Sequence, residues 1–230
     1  MNTQMSQNNR LDNMIELNQQ SISELIEVGS WIHQQGWCPA TSGNFSVRTT
    51  VEHSQETHCL ITASGVHKGH LNEEQFVMTD LAGNVVGPNQ DKKPSAETLV
   101  HLMLYRLSND INSVLHIHSI PNTVLSQLAE SKTLLIQGFE MQKSIENQKT
   151  HEDTVELAVL DNTQDMTILA EQLKERWIKE DGLVGGFLVR GHGAYFWGKN
   201  IQEAKRHLEG IEFILACMLE LKRFGVTIRA

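Results

Sequence analysis

Ser113-Val114-Leu115-His116-Ile117-His118-Ser119 holds two histidines one residue apart inside an aliphatic, β-branched run. Such a run reads as a short buried strand. Alternate side chains on a strand share a face, so His116 and His118 point one way and Ile117 the other. Two steps of ~3.3 Å put their Cα atoms roughly 6.6 Å apart. Rings leaning together at that spacing can each bring a nitrogen to ~2.0–2.1 Å from one Zn²⁺. The alternative is a pair that only hydrogen-bonds within a core, since 11 histidines in the chain make chance pairs common.

A third histidine stands in Gly191-His192-Gly193, between the strand-like runs Gly186–Arg190 and Ala194–Trp197. Flanking glycines permit backbone angles that other residues resist, so His192 can be aimed inward between two strands. Three histidines with an open fourth position make a catalytic zinc site. The alternative for His192 is an ordinary hairpin-turn residue.

Outward from this strand, the pattern mixes strands and helices without a regular βαβ rhythm. Ser21-Ile22-Ser23-Glu24 reads as a capping box opening a helix that ends near Gly36. Strands are expected at Phe45–Arg48, Cys59–Thr62, Leu134–Ile136 and Thr154–Leu160, with a hairpin over Phe76–Val86 turning at Ala82-Gly83-Asn84. Helices are expected from Pro94, with the stripe Leu99, Leu102, Met103 and Leu107, from Pro121, over Gln164–Ile178 and over Ile201–Lys222. The last has Leu208, Ile211, Leu215, Met218 and Leu219 for packing on its own sheet. The expected architecture is α/β, one mixed sheet with helices on both faces.

With 40% hydrophobic residues, the 230-residue chain can bury a large core, and it shows no linker, repeat or low-complexity tract. Residues 21–230 are therefore read as one domain, and the Asn/Gln-rich residues 1–20 as a flexible segment. No signal peptide or long apolar run appears, which points to a soluble, cytoplasmic protein and away from membranes. A net charge of −9 with scattered lysines and arginines argues against nucleic acid as a partner. The 3 cysteines, Cys38, Cys59 and Cys217, are too widely spaced for a disulfide framework, and Cys217 reads as a small core residue.

Three polar segments, Thr41-Ser42-Gly43-Asn44, Ala63-Ser64-Gly65 and Pro94-Ser95-Ala96, join small hydroxyl or amide residues to strand ends or a helix start. Together they suit a phosphate, although each alone is also an ordinary turn or cap. Lys68 reads as a solvated surface residue that could add charge. Glu97, in a first helical turn, is explained as a dipole-compensating acid. Glu140, in the glycine-flanked Gln137-Gly138-Phe139-Glu140-Met141, is less easily explained that way.

In this order, Ser42-Gly43-Asn44-Phe45-Ser46, Thr62-Ala63-Ser64-Gly65, Pro94-Ser95-Ala96-Glu97, His116-Ile117-His118 and Gly191-His192-Gly193 resemble the class II aldolase and adducin family over residues 21–222. The resemblance implies a three-layer α/β/α sandwich around a central mixed, largely antiparallel sheet. It implies one Zn²⁺ or similar divalent ion per subunit, held by His116, His118 and His192. It also implies a phosphorylated keto-sugar substrate, held by Asn44, Ser64, Gly65 and Ser95, and a homotetramer with active sites at subunit boundaries. Gly36–Asn44, Ala63–Gly69 and Gly138–Ile145 are similar to a dehydratase branch, which makes Glu140 the acid. Glu97 matches the acid of the aldolase branches, so aldol cleavage or 4-epimerisation stays open. The non-catalytic scaffold modules of the family have no need of the three histidines.

Overall fold

The computed structural model describes residues 19–51, 56–87 and 91–226. Their strands are β1 (Asn44–Val51), β2 (Glu56–Thr62), β3 (Phe76–Asp80), β4 (Val85–Val86), β5 (Ser113–Ile117), β6 (Thr133–Ile136), β7 (Val155–Leu160), β8 (Gly186–Val189) and β9 (Gly193–Gly198). They form one sheet in the order β4-β3-β2-β1-β5-β9-β8-β7-β6, with the histidine strand β5 at its centre. Every pairing is antiparallel except β7 with β8. The helices are α1 (19–34 as far as described), α2 (Thr98–Leu107), α3 (Ile120–Leu128), α4 (Met166–Glu180) and α5 (Ile201–Arg223).

Strand alternation sorts the side chains into two cores. Phe45 and Val47 of β1, Leu115 and Ile117 of β5, and Ala194 and Phe196 of β9 pack with α1, α3 and α5. Val114, Tyr195 and Trp197 face the other way, into a core shared with α2 and α4. The sheet is therefore sandwiched between two helical layers, as the resemblance implied. By the same alternation His116 turns toward the α2 side, where Glu97 stands at the N-cap position of that helix without a side-chain capping bond.

Three expectations need correction. Residues 19 and 20 are helical, contrary to the expectation of flexibility for them, and Ser21 and Glu24 lie inside α1. Glu24 accepts a hydrogen bond from Gln20 at 3.0 Å, an i,i+4 pair on the helix surface, and does not cap. Residues 1–18 of that expected segment lie outside the described residues. Cys217 is only half-buried and borders an exposed apolar groove.

The glycines around His192 do different work. Gly191 has φ +61°, a left-handed angle that favours glycine. Gly193 is needed for space, because a Cβ there would lie 2.3 Å from the Ile117 carbonyl oxygen and 3.0 Å from His116 Cε1. The neighbour is backbone of the central strand and cannot swing aside. Gly193→Ala should therefore lower the melting temperature by several degrees, in line with an overpacking cost of about 1–3 kcal/mol. An unchanged thermal transition in that variant would contradict the close approach of β9 to β5.

Candidate active site

Register places the first histidine. His116 is fully buried on β5, opposite Asn44 of β1 and Tyr195 of β9. Its ring stacks on Tyr195 at 4.0 Å between centroids, and Tyr195 stacks on Phe187. His116 Nδ1–H donates to the Ala194 carbonyl at 2.9 Å, which fixes the ring and turns Nε2 into the site. His118 lies just past the strand end and is anchored by its backbone N–H, which donates to the Trp37 carbonyl at 2.8 Å. His192 sits in the β8–β9 turn, where its N–H donates to Val189 and its carbonyl accepts from Thr123 Oγ1.

The three imidazoles converge with Glu97. His116 and His118 bring their Nε2 atoms to 2.9 Å of each other. Glu97 Oε1 lies 2.9 Å from His192 Nε2, and Oε2 lies 3.4 Å from His116 Nε2. One ligand atom from each of these residues falls within 4.8 Å of all the others. Atoms bound to a common tetrahedral Zn²⁺ at ~2.0–2.1 Å stand about 3.3 Å apart, so this donor set fits a divalent ion. Imidazole and carboxylate donors suit zinc, manganese, iron, cobalt or nickel.

Electrostatics agrees with that use. Burial pushes the His118 imidazole down to about 3, with the neighbouring His116 and His192 acting in the same direction. It is thus neutral, as a ligand must be. Burial would raise the Glu97 carboxyl, but the imidazoles of His116 and His192 more than offset it and hold Glu97 well below the usual carboxylate range.

Behind the histidines, Glu212 of α5 is almost completely buried and accepts from Ser119 Oγ at 2.5 Å and Asn122 Nδ2 at 2.9 Å. Ser119 follows His118 and caps α3, so this carboxyl anchors the wall of the site. Burial pushes Glu212 up from 4.5 to about 7, against the pull of those two bonds.

The expected phosphate loops come together. Ser64 N–H donates to Lys93 O at 2.9 Å, and Ala63 bridges Pro94, which sets the Ser64-Gly65 turn beside Ser95. Ser64 and Gly65 are exposed, and Gly65 has φ +74°. Asn44 is buried, and its amide nitrogen donates to Ser95 Oγ at 3.0 Å and to Glu97 Oε2 at 2.5 Å. Ser42 Oγ is buried with no hydrogen-bond partner among the described residues.

Lys68 corrects a sequence expectation. It is 2% exposed, not a solvated surface residue. Its ammonium donates to Thr41 O at 2.9 Å and Val66 O at 2.7 Å, tying two of the polar loops together. Burial lowers its pKa, and no ion pair with a carboxylate holds it among the described residues. Glu140 stands apart. It lies in a 3-10 turn at Glu140–Ser144, its side chain is 69% exposed, and it pairs with Lys143 at 2.5 Å and His151 at 3.3 Å. Within one chain the structure gathers Glu97, and not Glu140, with the histidines.

Sequence reasoning passed over His101, which reaches Asn44 and Ser46. A signal existed: His101 follows Glu97 by four residues, the spacing that puts two side chains on one helix face.

Glu212 gives a pH test. The folded protein keeps its proton between pH 4.5 and about 7 while the unfolded chain releases it. The unfolded state binds fewer protons there, so this group makes stability fall as pH rises through that window. Glu212→Gln should flatten that part of the pH–stability curve in denaturant titrations. A wild-type slope in the variant would refute the assignment.

A family model described as Class II Aldolase and Adducin N-terminal domain matches residues 23–219. The methylthioribulose-1-phosphate dehydratase of Yersinia pseudotuberculosis (serotype O:3, strain YPIII) is 45% identical over 206 residues, 90% of this chain and 89% of that one. The protein of the same name from Serratia proteamaculans (strain 568) is 45% identical over 201 residues, 87% of this chain and 95% of that one. Among solved structures, the L-fuculose-1-phosphate aldolase of Thermus thermophilus superposes with a TM-score of 0.70 at 25% identity, covering 90% of this chain and 98% of that one. Another L-fuculose 1-phosphate aldolase gives a TM-score of 0.73 at 23% identity over 92% and 91% of the two chains, a likeness of fold.

Proposed function

We infer the activity from membership: the chain belongs to the class II aldolase and adducin family. It is proposed to be a metal-dependent hydro-lyase of methionine salvage. It removes water from 5-methylthioribulose 1-phosphate to give 2,3-diketo-5-methylthiopentyl 1-phosphate. The observation that carries this is the 45% identity to methylthioribulose-1-phosphate dehydratases over nine tenths of the chain. The cluster of Glu97, His116, His118 and His192 supplies matching machinery.

In this reading His116, His118 and His192 hold one divalent ion per subunit, with zinc the leading candidate. When bound, the ion acts as a Lewis acid toward the keto-sugar's carbonyl. Glu97, held ionised, accepts the proton that leaves C3. Glu140, once it leaves its ion pairs with Lys143 and His151 at the subunit boundary and takes up a proton from solvent, gives that proton to the departing C4 hydroxyl, and the resulting enol ketonises to the 2,3-diketone with water as the other product. Ser64, Gly65, Ser95 and the Ser42 hydroxyl, which has no partner among the described residues, hold the phosphate, and buried Lys68, bound to the Thr41 and Val66 carbonyls, supplies positive charge to these loops. Asn44 reaches the phosphate loop through Ser95.

Glu140 joins the site across a subunit boundary in the proposed homotetramer. The support is an apolar groove of ≈ 610 Å³ lined by Ile120, Pro121, Phe139, Phe213, Cys217 and Phe224. Ile120 lies two residues from His118, and Phe139 precedes Glu140, so a second copy seated there closes on both. The cytoplasm is the proposed compartment, supported by three cysteines that are all unpaired. No helix of the described residues is long and apolar enough to cross a membrane.

A second reading, aldol cleavage or 4-epimerisation, is favoured by one observation: within the chain Glu97 is the carboxylate beside the histidines. The discriminating assay offers the purified protein 5-methylthioribulose 1-phosphate and, separately, L-fuculose 1-phosphate. Dehydration yields a diketone trapped by an aromatic diamine. Cleavage releases dihydroxyacetone phosphate, read by a coupled dehydrogenase. Glu140→Gln should lose at least about 100-fold in dehydratase kcat while keeping its metal. An active Glu140→Gln beside an inactive Glu97→Gln would reassign the acid, and dominant cleavage by the native protein would overturn the dehydratase reading.

Metal and phosphate binding are separable. Elemental analysis of protein purified without added metal should find about one divalent ion per chain, lost in His118→Ala, which should remain folded. Ser64→Ala should weaken substrate binding about 10- to 150-fold, the cost of a charge-assisted bond of roughly 1.5–3 kcal/mol, with metal content unchanged. Full activity in metal-free protein, or unchanged kinetics in Ser64→Ala, would remove the corresponding role.

A further inference from the structure

A buried line of hydrogen bonds runs from Glu97 away from the histidines. Asn44 Nδ2 donates to Glu97 Oε2 at 2.5 Å and to Ser95 Oγ at 3.0 Å, so both amide protons are used. Asn44 Oδ1 lies 2.5 Å from His101 Nε2. His101 Nδ1 lies 2.7 Å from Ser46 Oγ, and Ser46 Oγ lies 2.6 Å from Tyr105 Oη. Asn44, Ser46, His101 and Tyr105 are each at most 2% exposed.

Chemistry fixes the direction of every bond in this line. A carboxylate only accepts, so the Asn44 amide nitrogen must face Glu97 and its oxygen must face His101. An amide oxygen only accepts, so His101 donates from Nε2–H. Burial pushes the His101 imidazole down to about 3, so it is neutral and its Nδ1 carries a lone pair. Ser46 Oγ–H therefore donates to Nδ1, and Tyr105 Oη–H donates to Ser46. One orientation satisfies all of the groups, and reversing any member sets two acceptors or two donors against each other.

We propose that His101 is a positioning residue for Glu97, acting through Asn44, with Ser46 and Tyr105 holding His101 in the required tautomer. The line cannot deliver protons to Glu97, because its last member is an amide that donates without ionising. It sets orientation: Oε2 is held from behind by Asn44, and Oε1 is left facing His192. If His101 no longer donates, the Asn44 amide is free to turn, and its oxygen then repels the carboxylate from its place. The inference rests on the reading of Glu97 as a working group of the site.

The experiment compares His101→Leu, His101→Gln, Ser46→Ala and Glu97→Gln with the native enzyme in kcat, KM, metal content and melting temperature. Leucine has neither donor nor acceptor, so His101→Leu should lose about 10- to 100-fold in kcat, with KM within about 3-fold and metal retained, as expected for a misplaced reacting group. Glutamine offers one donor and one acceptor and should recover most of that loss. Ser46→Ala, a small change with little risk to folding, should lose several-fold in kcat because it frees the His101 tautomer. If His101→Leu does not fold, native kcat in Ser46→Ala would overturn the proposal. Loss of metal or thermal stability in parallel with activity would make His101 a packing residue and also overturn it. An inactive Glu97→Gln beside a fully active His101→Leu sinks the positioning role alone, whereas an active Glu97→Gln sinks the reading of Glu97 and the positioning role with it.

Discussion

Three imidazoles and a carboxylate held within 4.8 Å of one another impose a constraint on everything around them. Bringing three ring nitrogens and a carboxylate this close together in a partly buried space costs desolvation. The chain accepts this cost at the centre of its sheet, where movement is least available. β5 is clamped between β1 and β9, with His116 opposite both Asn44 and Tyr195. The Ala194 carbonyl selects the His116 tautomer, and the approach of Gly193 to Ile117 leaves no room for a side chain between β5 and β9. A divalent cation would turn the same crowding into a stabilising ligand set.

Much of this was legible in the sequence because it depends on local rules. The alternation of Leu115, His116 and Ile117 assigns each side chain to a face wherever a strand forms, and the two cores confirm the assignment for the aliphatic pair. Gly191 and Gly193 announced a turn with unusual demands, although only Gly191 needed an unusual angle. What the sequence hid depends on distant partners. Lys68 looks solvated until Thr41, 27 residues away, supplies a carbonyl to its ammonium. The capping box at Ser21 was a sound local signal, yet the helix continues through it. Asn44 read as an anion donor; in the fold both of its amide protons are spent on Ser95 and Glu97.

The two glutamates divide along the same line. Glu97 is placed by short-range geometry, one residue before α2, and the fold carries it to the histidines. Glu140 lies on an exposed 3-10 turn, where its ion pairs with Lys143 and His151 are solvent-screened and contribute little to stability. Apolar side chains beside that turn are also exposed, including Phe213 at 54% and Ile120 at 69%. A carboxylate that acts in dehydration must reach the reacting carbon, so the proposed chemistry and the proposed assembly stand together.

X-ray absorption at the metal edge of protein purified without added metal addresses the central claim most directly. Three imidazole ligands per ion, at the ~2.0–2.1 Å expected for zinc, with oxygen filling the remaining coordination, are the predicted result. A sulfur shell near ~2.3 Å, fewer than three imidazoles, or no bound ion in active protein would contradict the account.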